Sequence, residues 1–350
     1  MNSSKIYKPL PQNNFDLLRL LFASMVVFFH IAILSQVPSF AWMKYSPSLF
    51  AVQAFFFVSG YLVTMSYEKS HSISDYWKKR ILRIAPAYIF VVVGAALLLS
   101  LISTLSFSEY FSHKDFWRYI GFNLMLANFI APSLPGVFMT QYESAVNVSL
   151  WTIKIEVLFY ACVPFIVWAV RKWGYNRVLG LVFFLSLIWK VGFYIQGNFT
   201  GDDIYFKLAK QLPGQICFFV GGAWCFYKTR HGFKPTLWMA VSGILLYCFT
   251  NGWLFELLSP LAVTILVSWS AISMPRIGNI GKHGDFSFGI YLFHAPIAQT
   301  FISLGLFSAY PIKGMIVALL CIAALSIFSW NYVERPFLSH RKQTGKPILS

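Results

Sequence analysis

Asp16, Arg19 and His30 stand in one apolar run, FDLLRLLFASMVVFFH. At about 100° per residue on a helix, Arg19 and His30 lie about 20° apart, and Asp16 falls about 40° from His30 on the other side, so all three share a face. The helical rise carries His30 about 16 Å beyond Arg19. An ionisable group at the centre of a bilayer costs at least about 2.5–3.5 kcal/mol, so this polar track needs a reason. An imidazole at mid-depth suits proton transfer. The plainer reading makes Asp16 and Arg19 a salt pair at a helix start and His30 a hydrogen-bonded packing residue.

A few other polar groups fall in or beside apolar runs. Arg80 and Arg83 in KKRILRIAPAY share a helical face at i,i+3, and two planar guanidinium groups suit a phosphate. Ordinary cationic anchoring at a membrane surface explains them as well. Glu156 in SLWTIKIEVLFY lies two residues from Lys154 and points another way. It could orient a hydroxyl, pair with His30 or an arginine, or form a structural ion pair between helices. Tyr291 and His294 in FSFGIYLFHAPI are spaced to share a face, for chemistry or for interhelical hydrogen bonding, and Glu334 stands at the end of the last apolar run. Ser59 and Gly60 in FFFVSGYL fit close helix packing. The five cysteines all fall in apolar runs without a CxxC pair, and no histidine cluster has metal-ligand spacing, so no metal is expected.

The elements that must carry these groups are membrane helices. Of the 350 residues, 57% are hydrophobic and only 11% charged, against roughly a quarter charged in soluble domains. Apolar runs of about 20 residues, long enough to cross a bilayer, lie near 15–36, 46–66, 84–105, 150–170, 178–197, 208–228, 235–252, 254–273, 286–306 and 311–332. The expected fold is an all-α polytopic membrane protein of about ten transmembrane helices. With ten spans, one set of loops and ends holds 19 Lys and Arg residues and the other set 6, with Arg19, Lys154 and Lys190 inside spans. That bias puts both termini in the cytoplasm. The net charge of +16 is thus spread along span ends, which points to the lipid bilayer as partner and not to nucleic acid. The N-terminal run lacks a small-residue cleavage site and reads as a retained signal-anchor. Residues 1–14 form a cytoplasmic segment, 15–337 one membrane domain and 338–350 a basic cytoplasmic tail. The long outward loop 106–149 includes an apolar stretch, 117–131, too short to span and expected to be interfacial or re-entrant.

Six blocks in order, FDLLRLLFASMVVFFH, FFFVSGYLVT, KKRILRIAPAY, SLWTIKIEVLFY, FSFGIYLFHAPI and NYVERPF, resemble the membrane-bound acyltransferase 3 family, which O-acylates surface and exported glycans. The resemblance runs from about residue 15 to 337. It implies ten spanning helices in the cell inner membrane, an acyl-CoA donor from the cytoplasm and a glycan or lipid-linked saccharide acceptor. Residue by residue, Arg19 and His30 match the family's essential first-helix pair, Arg80 and Arg83 its donor-linked arginine motif, and Glu156 and Glu334 acidic positions of later blocks. Many relatives carry an extra esterase-like domain; none is read here, so transfer finishes within the membrane domain or is completed by a separate partner protein.

The mechanism expected from this resemblance uses acetyl-CoA, with Arg80 and Arg83 on its anionic end and His30 as general base toward a sugar hydroxyl of O-antigen, exopolysaccharide or capsule. Acylation of His30 itself is the other route. Arg19 would support charge on the carbonyl, and Asp16 would hold Arg19. A transporter or flippase of a lipid-linked glycan is the alternative from another class, since charges at mid-depth suit it too. A non-catalytic partner of a polysaccharide synthase is a third reading.

Overall fold

The computed structural model describes residues 13–278 and 280–339. The terminal segments read above as cytoplasmic, with Lys5, Lys8, Arg341, Lys342 and Lys346, lie outside the described residues except for 13, 14, 338 and 339. The secondary structure among the described residues is helical throughout. The α-helices in chain order are α1 (Phe15–Ser35), α2 (Ser48–Glu68), α3 (Ile73–Leu98), α4 (Phe107–Ser112), α5 (Lys114–Leu124), α6 (Trp151–Trp173), α7 (Tyr175–Thr200), α8 (Asp203–Ala209), α9 (Leu212–Arg230), α10 (Leu237–Cys248), α11 (Gly252–Ser268), α12 (Ser287–Ser303), α13 (Leu306–Ala309), α14 (Pro311–Phe328) and α15 (Arg335–Ser339). Single π-helical turns, Trp269–Ser273 and Ser329–Glu334, follow α11 and α14.

By length and composition, seven segments can cross a membrane: Phe15–Ser35, Ser48–Glu68, Ile73–Ile102, Trp151–Trp173, Tyr175–Thr200, Gly252–Ser273 and Pro311–Leu338. These coincide with seven of the ten expected spans, and the chain is a multi-pass membrane protein. The other three expected spans form α9 of 19 residues, α10 of 12 and α12 of 17. Gly214, Gln215 and Gly221 dilute the apolar content of α9, while α10 and α12 are short of the ~20 residues a straight crossing needs.

The chain divides into two compact units. One is built from residues up to Arg19 with Leu49–Tyr76 and Ile155–Ile280. Here α2 and α9 come together at paired glycines. A Cβ on Gly60 would overlap the carbonyl oxygen of Phe219, and one on Gly222 would overlap that of Phe57, so glycine is what allows the two backbones to approach. Phe159 stacks on Phe219 at 4.8 Å beside this crossing. Pro164 inside α6 has no N–H for the Tyr160 carbonyl one turn back; the Tyr76 hydroxyl donates to that carbonyl instead, at 2.8 Å. The Asn14 amide donates to the carbonyls of Ser270, Met274 and Pro275, where the π turn leaves acceptors without helical partners.

The second unit comprises Leu20–Ser48, Trp77–Lys154 and the chain from Gly281 on. Its core joins Val27 and Ile31 of α1 to Phe40 and Met43 of the following 3₁₀ segment, Ala298 of α12, Phe307, and Ala318 and Ile322 of α14. The stretch 117–131 begins within the amphipathic α5, which buries Phe116, Tyr119 and Asn123 on one face and exposes Trp117 and Arg118, and continues as irregular chain. Residues 125–150 fold back with Leu134, Val137, Val146, Asn147 and Ser149 buried.

Candidate active site

The second unit gathers the site around α12. Pro296 removes the N–H that would otherwise bond the Leu292 carbonyl. The Asn147 side chain supplies the missing donor, with Nδ2 at 2.8 Å from Leu292 O. Farther along α12, the Gln299 amide donates to the carbonyls of Glu143 at 2.7 Å and Ala145 at 3.1 Å. Gln141 donates in turn to the Gln299 carbonyl at 2.9 Å. Four polar contacts thus fasten the irregular segment 141–147 along the helix. Asn147 Oδ1 also accepts the Ser149 N–H at 3.1 Å, which sets Ser149 at the start of α6.

His294 lies at the centre of this arrangement and is fully buried. Its Nδ1 is 2.8 Å from the Tyr291 carbonyl and 3.3 Å from that of Ile290. A carbonyl can only accept, so Nδ1 carries the proton, and in the neutral ring Nε2 is the acceptor. His30 Nδ1 approaches that Nε2 at 2.8 Å, with the two rings within 8° of parallel. Two lone pairs would repel at this distance, so His30 Nδ1–H donates. The neutral His30 ring then keeps its basic lone pair on Nε2. Ser149 Oγ is the second group on His294 Nε2, at 3.2 Å.

Tyr291 contributes in two ways. Its carbonyl fixes the His294 tautomer, while its hydroxyl lies 2.8 Å from Thr152 Oγ1. Thr152 in turn donates to the Ser149 carbonyl at 3.0 Å. The i,i+3 spacing of Tyr291 and His294 does bring the two together, but through the backbone.

A second cluster lies at the N-terminal end of α12. Arg83 Nη1 donates to Glu334 Oε2 at 3.0 Å, and Nη2 pairs with Asp285. The guanidinium sits 5.2 Å over the Phe288 ring. Ser329 donates to the other oxygen of Glu334 at 3.1 Å, across the five-residue spacing that a π turn stacks. Ser287 donates to Asp285 at 2.6 Å. Phe288 and His294 are six residues apart, so the cluster and the histidine pair are separated by about 9 Å along α12. Arg80, one turn before Arg83 on α3, is half-buried.

Glu156, Asp16 and Arg19 belong to the first unit. Glu156 accepts from Ser59 at 3.3 Å and from Tyr160 at 2.5 Å, so Ser59 is a hydrogen-bond donor besides lying at a packing position. Asp16 is exposed and Arg19 half-buried. The same unit holds a further ion pair, Lys190 with Glu256.

Sequence reasoning reached His30, His294, Tyr291, Arg83 and Glu334 and missed Ser149, Asn147, Thr152 and Asp285. A signal for Asn147 did exist: Pro296 announces a carbonyl at Leu292 in need of a donor. Nothing in the spacing names the residue that answers it.

A family profile described as an acyltransferase domain matches residues 12–333. An O-acetyl transferase of Shigella phage Sf6 is 28% identical over 344 residues, 93% of this chain and 96% of its own length. Nodulation protein 10 of Rhizobium leguminosarum bv. viciae is 26% identical over 94% of each chain. O-acetyltransferase OatA of Staphylococcus aureus is 24% identical over 95% of this chain and 58% of its own length. No solved structure matches the chain.

Proposed function

The chain belongs to the acyltransferase 3 family, and from that premise we propose that it is an O-acetyltransferase of the cell inner membrane. In this reading it moves an acetyl group from cytoplasmic acetyl-CoA to a hydroxyl of a surface or lipid-linked polysaccharide, with His30 as general base. The observation that carries the reading is the His30–His294 contact of 2.8 Å, in which a backbone-anchored histidine leaves the His30 lone pair on Nε2. A base must present an unprotonated, oriented atom to the proton it removes. The names of the phage and staphylococcal relatives support O-acetyl transfer as the reaction.

His30 Nε2 takes the proton of the acceptor hydroxyl as its oxygen attacks the thioester carbonyl carbon. The C–S bond breaks, and the departing thiolate recovers a proton. Arg80 binds the anionic end of the donor. Arg83, held by Asp285 and Glu334, fixes α3 against the start of α12 and so positions Arg80. The slender thioester arm covers the remaining distance to His30. Arg19 supports donor positioning, Asp16 holds Arg19, and Glu156 orients an acceptor hydroxyl; these three roles rest on their motif positions.

The test is mass spectrometry of surface glycans from a strain lacking this chain and complemented with wild type or His30→Ala. Wild type restores acetyl groups and His30→Ala restores none, at equal amounts of protein in the membrane. Acetylation by His30→Ala at wild-type level removes the base assignment. Glycans unchanged by the deletion itself remove the O-acetyltransferase reading.

A further inference from the structure

We propose that His294 is a proton-holding partner of His30, so that the base is a two-imidazole relay whose charge comes to rest on the buried ring. The inference rests on the reading of His30 as general base and specifies where the proton goes.

The acceptors around His294 are those an imidazolium needs. Its Nδ1–H is already committed to Tyr291 O and Ile290 O. Its Nε2 faces two groups, His30 Nδ1 at 2.8 Å and Ser149 Oγ at 3.2 Å. In the resting state Nε2 is an acceptor and takes the His30 Nδ1–H bond. Once protonated, Nε2–H is a donor, and both His30 Nδ1 and Ser149 Oγ are placed to accept it. The Ser149 backbone is held, its N–H by Asn147 and its carbonyl by Thr152, and its hydroxyl can donate or accept to suit either state. The ring has two partners in place at each nitrogen, two carbonyls of its own helix at Nδ1 and His30 with Ser149 at Nε2.

The acceptor O–H bond breaks and its proton binds His30 Nε2. The His30 Nδ1–H bond breaks and that proton binds His294 Nε2, leaving His30 neutral and His294 cationic. The acceptor oxygen bonds to the acyl carbon, and the C–S bond breaks. The thiolate takes the proton from His30 Nε2, and His294 returns its Nε2 proton to His30 Nδ1. Both rings end as they began. Neither Ser149 nor His294 touches substrate in this scheme; both act through His30.

The measurement is a proton inventory: the acetyl-transfer rate of the purified full chain in lipid nanodiscs, across mixtures of H₂O and D₂O. The probes are [¹⁴C]acetyl-CoA and polysaccharide extracted from cells lacking this chain. For wild type the rate plotted against deuterium fraction is bowed, as two protons in flight require. His294→Gln keeps an oxygen for the His30 N–H but cannot take a proton; kcat falls about a hundredfold, KM for acetyl-CoA is unchanged, and the plot becomes straight. Ser149→Ala lowers kcat about tenfold, and Ser149→Thr recovers most of it. A straight plot for wild type overturns the relay without needing any variant. So does wild-type kcat in His294→Gln, and His30 remains the base if His30→Ala is still inactive. If His30→Ala is also fully active, the underlying base assignment fails as well.

Discussion

Arg83 reaches two carboxylates at once, and one of them, Glu334, is only 1% exposed. Removing the guanidinium therefore strands a buried charge, which costs about 3–5 kcal/mol where it has been measured. Arg83→Ala is expected to lower thermal stability in detergent sharply, and Arg83→Lys to rescue little of it, because an ammonium group cannot reproduce the planar two-pronged geometry. Arg80→Ala is expected to raise KM for acetyl-CoA several-fold. An unchanged KM in that variant would remove Arg80 from the donor site. At this scale much was legible in the sequence. A charge or imidazole in an apolar run stands out because insertion is costly, and that picked out His30, His294 and Glu334, while Arg83 stood out by its i,i+3 spacing to Arg80. The cost of burial does not reveal partners. Asp285 and Ser149 lie just outside the helices where a carboxylate or hydroxyl is unremarkable, so nothing marked them.

At the scale of elements, prolines and glycines explain how the site is delivered. Pro296 is expected to matter through the carbonyl it frees. In Pro296→Ala the restored N–H competes with Asn147 for Leu292 O, loosening residues 141–149. Limited proteolysis would then cut this segment faster in both Pro296→Ala and Asn147→Ala, and acetyl transfer would slow in both. Unchanged cleavage in both variants would mean that the Asn147 contact does not hold the segment. Gly60→Ala should do its damage elsewhere, by driving α2 from α9 where the backbone carbonyl of Phe219 blocks a side chain. Membrane helices could be placed from hydropathy because every apolar run of about 20 residues satisfies its own backbone as a helix. The stretch 125–150 could not be read this way. Its order comes from Gln299 reaching the Glu143 and Ala145 carbonyls and from Asn147 reaching out to the Leu292 carbonyl, and such contacts leave no periodicity.

For the whole molecule, the sequence predicts ten crossings, and seven helical segments are long and apolar enough by themselves. The physical reason for the gap is plain in α9, whose surface is largely buried in protein and therefore does not require the apolar content of a lipid-facing helix; α10 and α12 are short, at 12 and 17 residues. The excess of Lys and Arg on one set of loops predicts that both termini face the cytoplasm. Reporter fusions at each end, and within 106–149, should report cytoplasm, cytoplasm and exterior in that order; an exterior C-terminus means that one or all three of α9, α10 and α12 do not cross, and a cytoplasmic 106–149 overturns the placement of the first three spans. The assignment of His30 as base is tested by the rate of acetyl transfer from [¹⁴C]acetyl-CoA by purified His30→Ala beside wild type of matched unfolding temperature. A loss of at least about a hundredfold is expected, the contribution of a positioned general base. Transfer by His30→Ala within a factor of two of wild type would refute a base at His30.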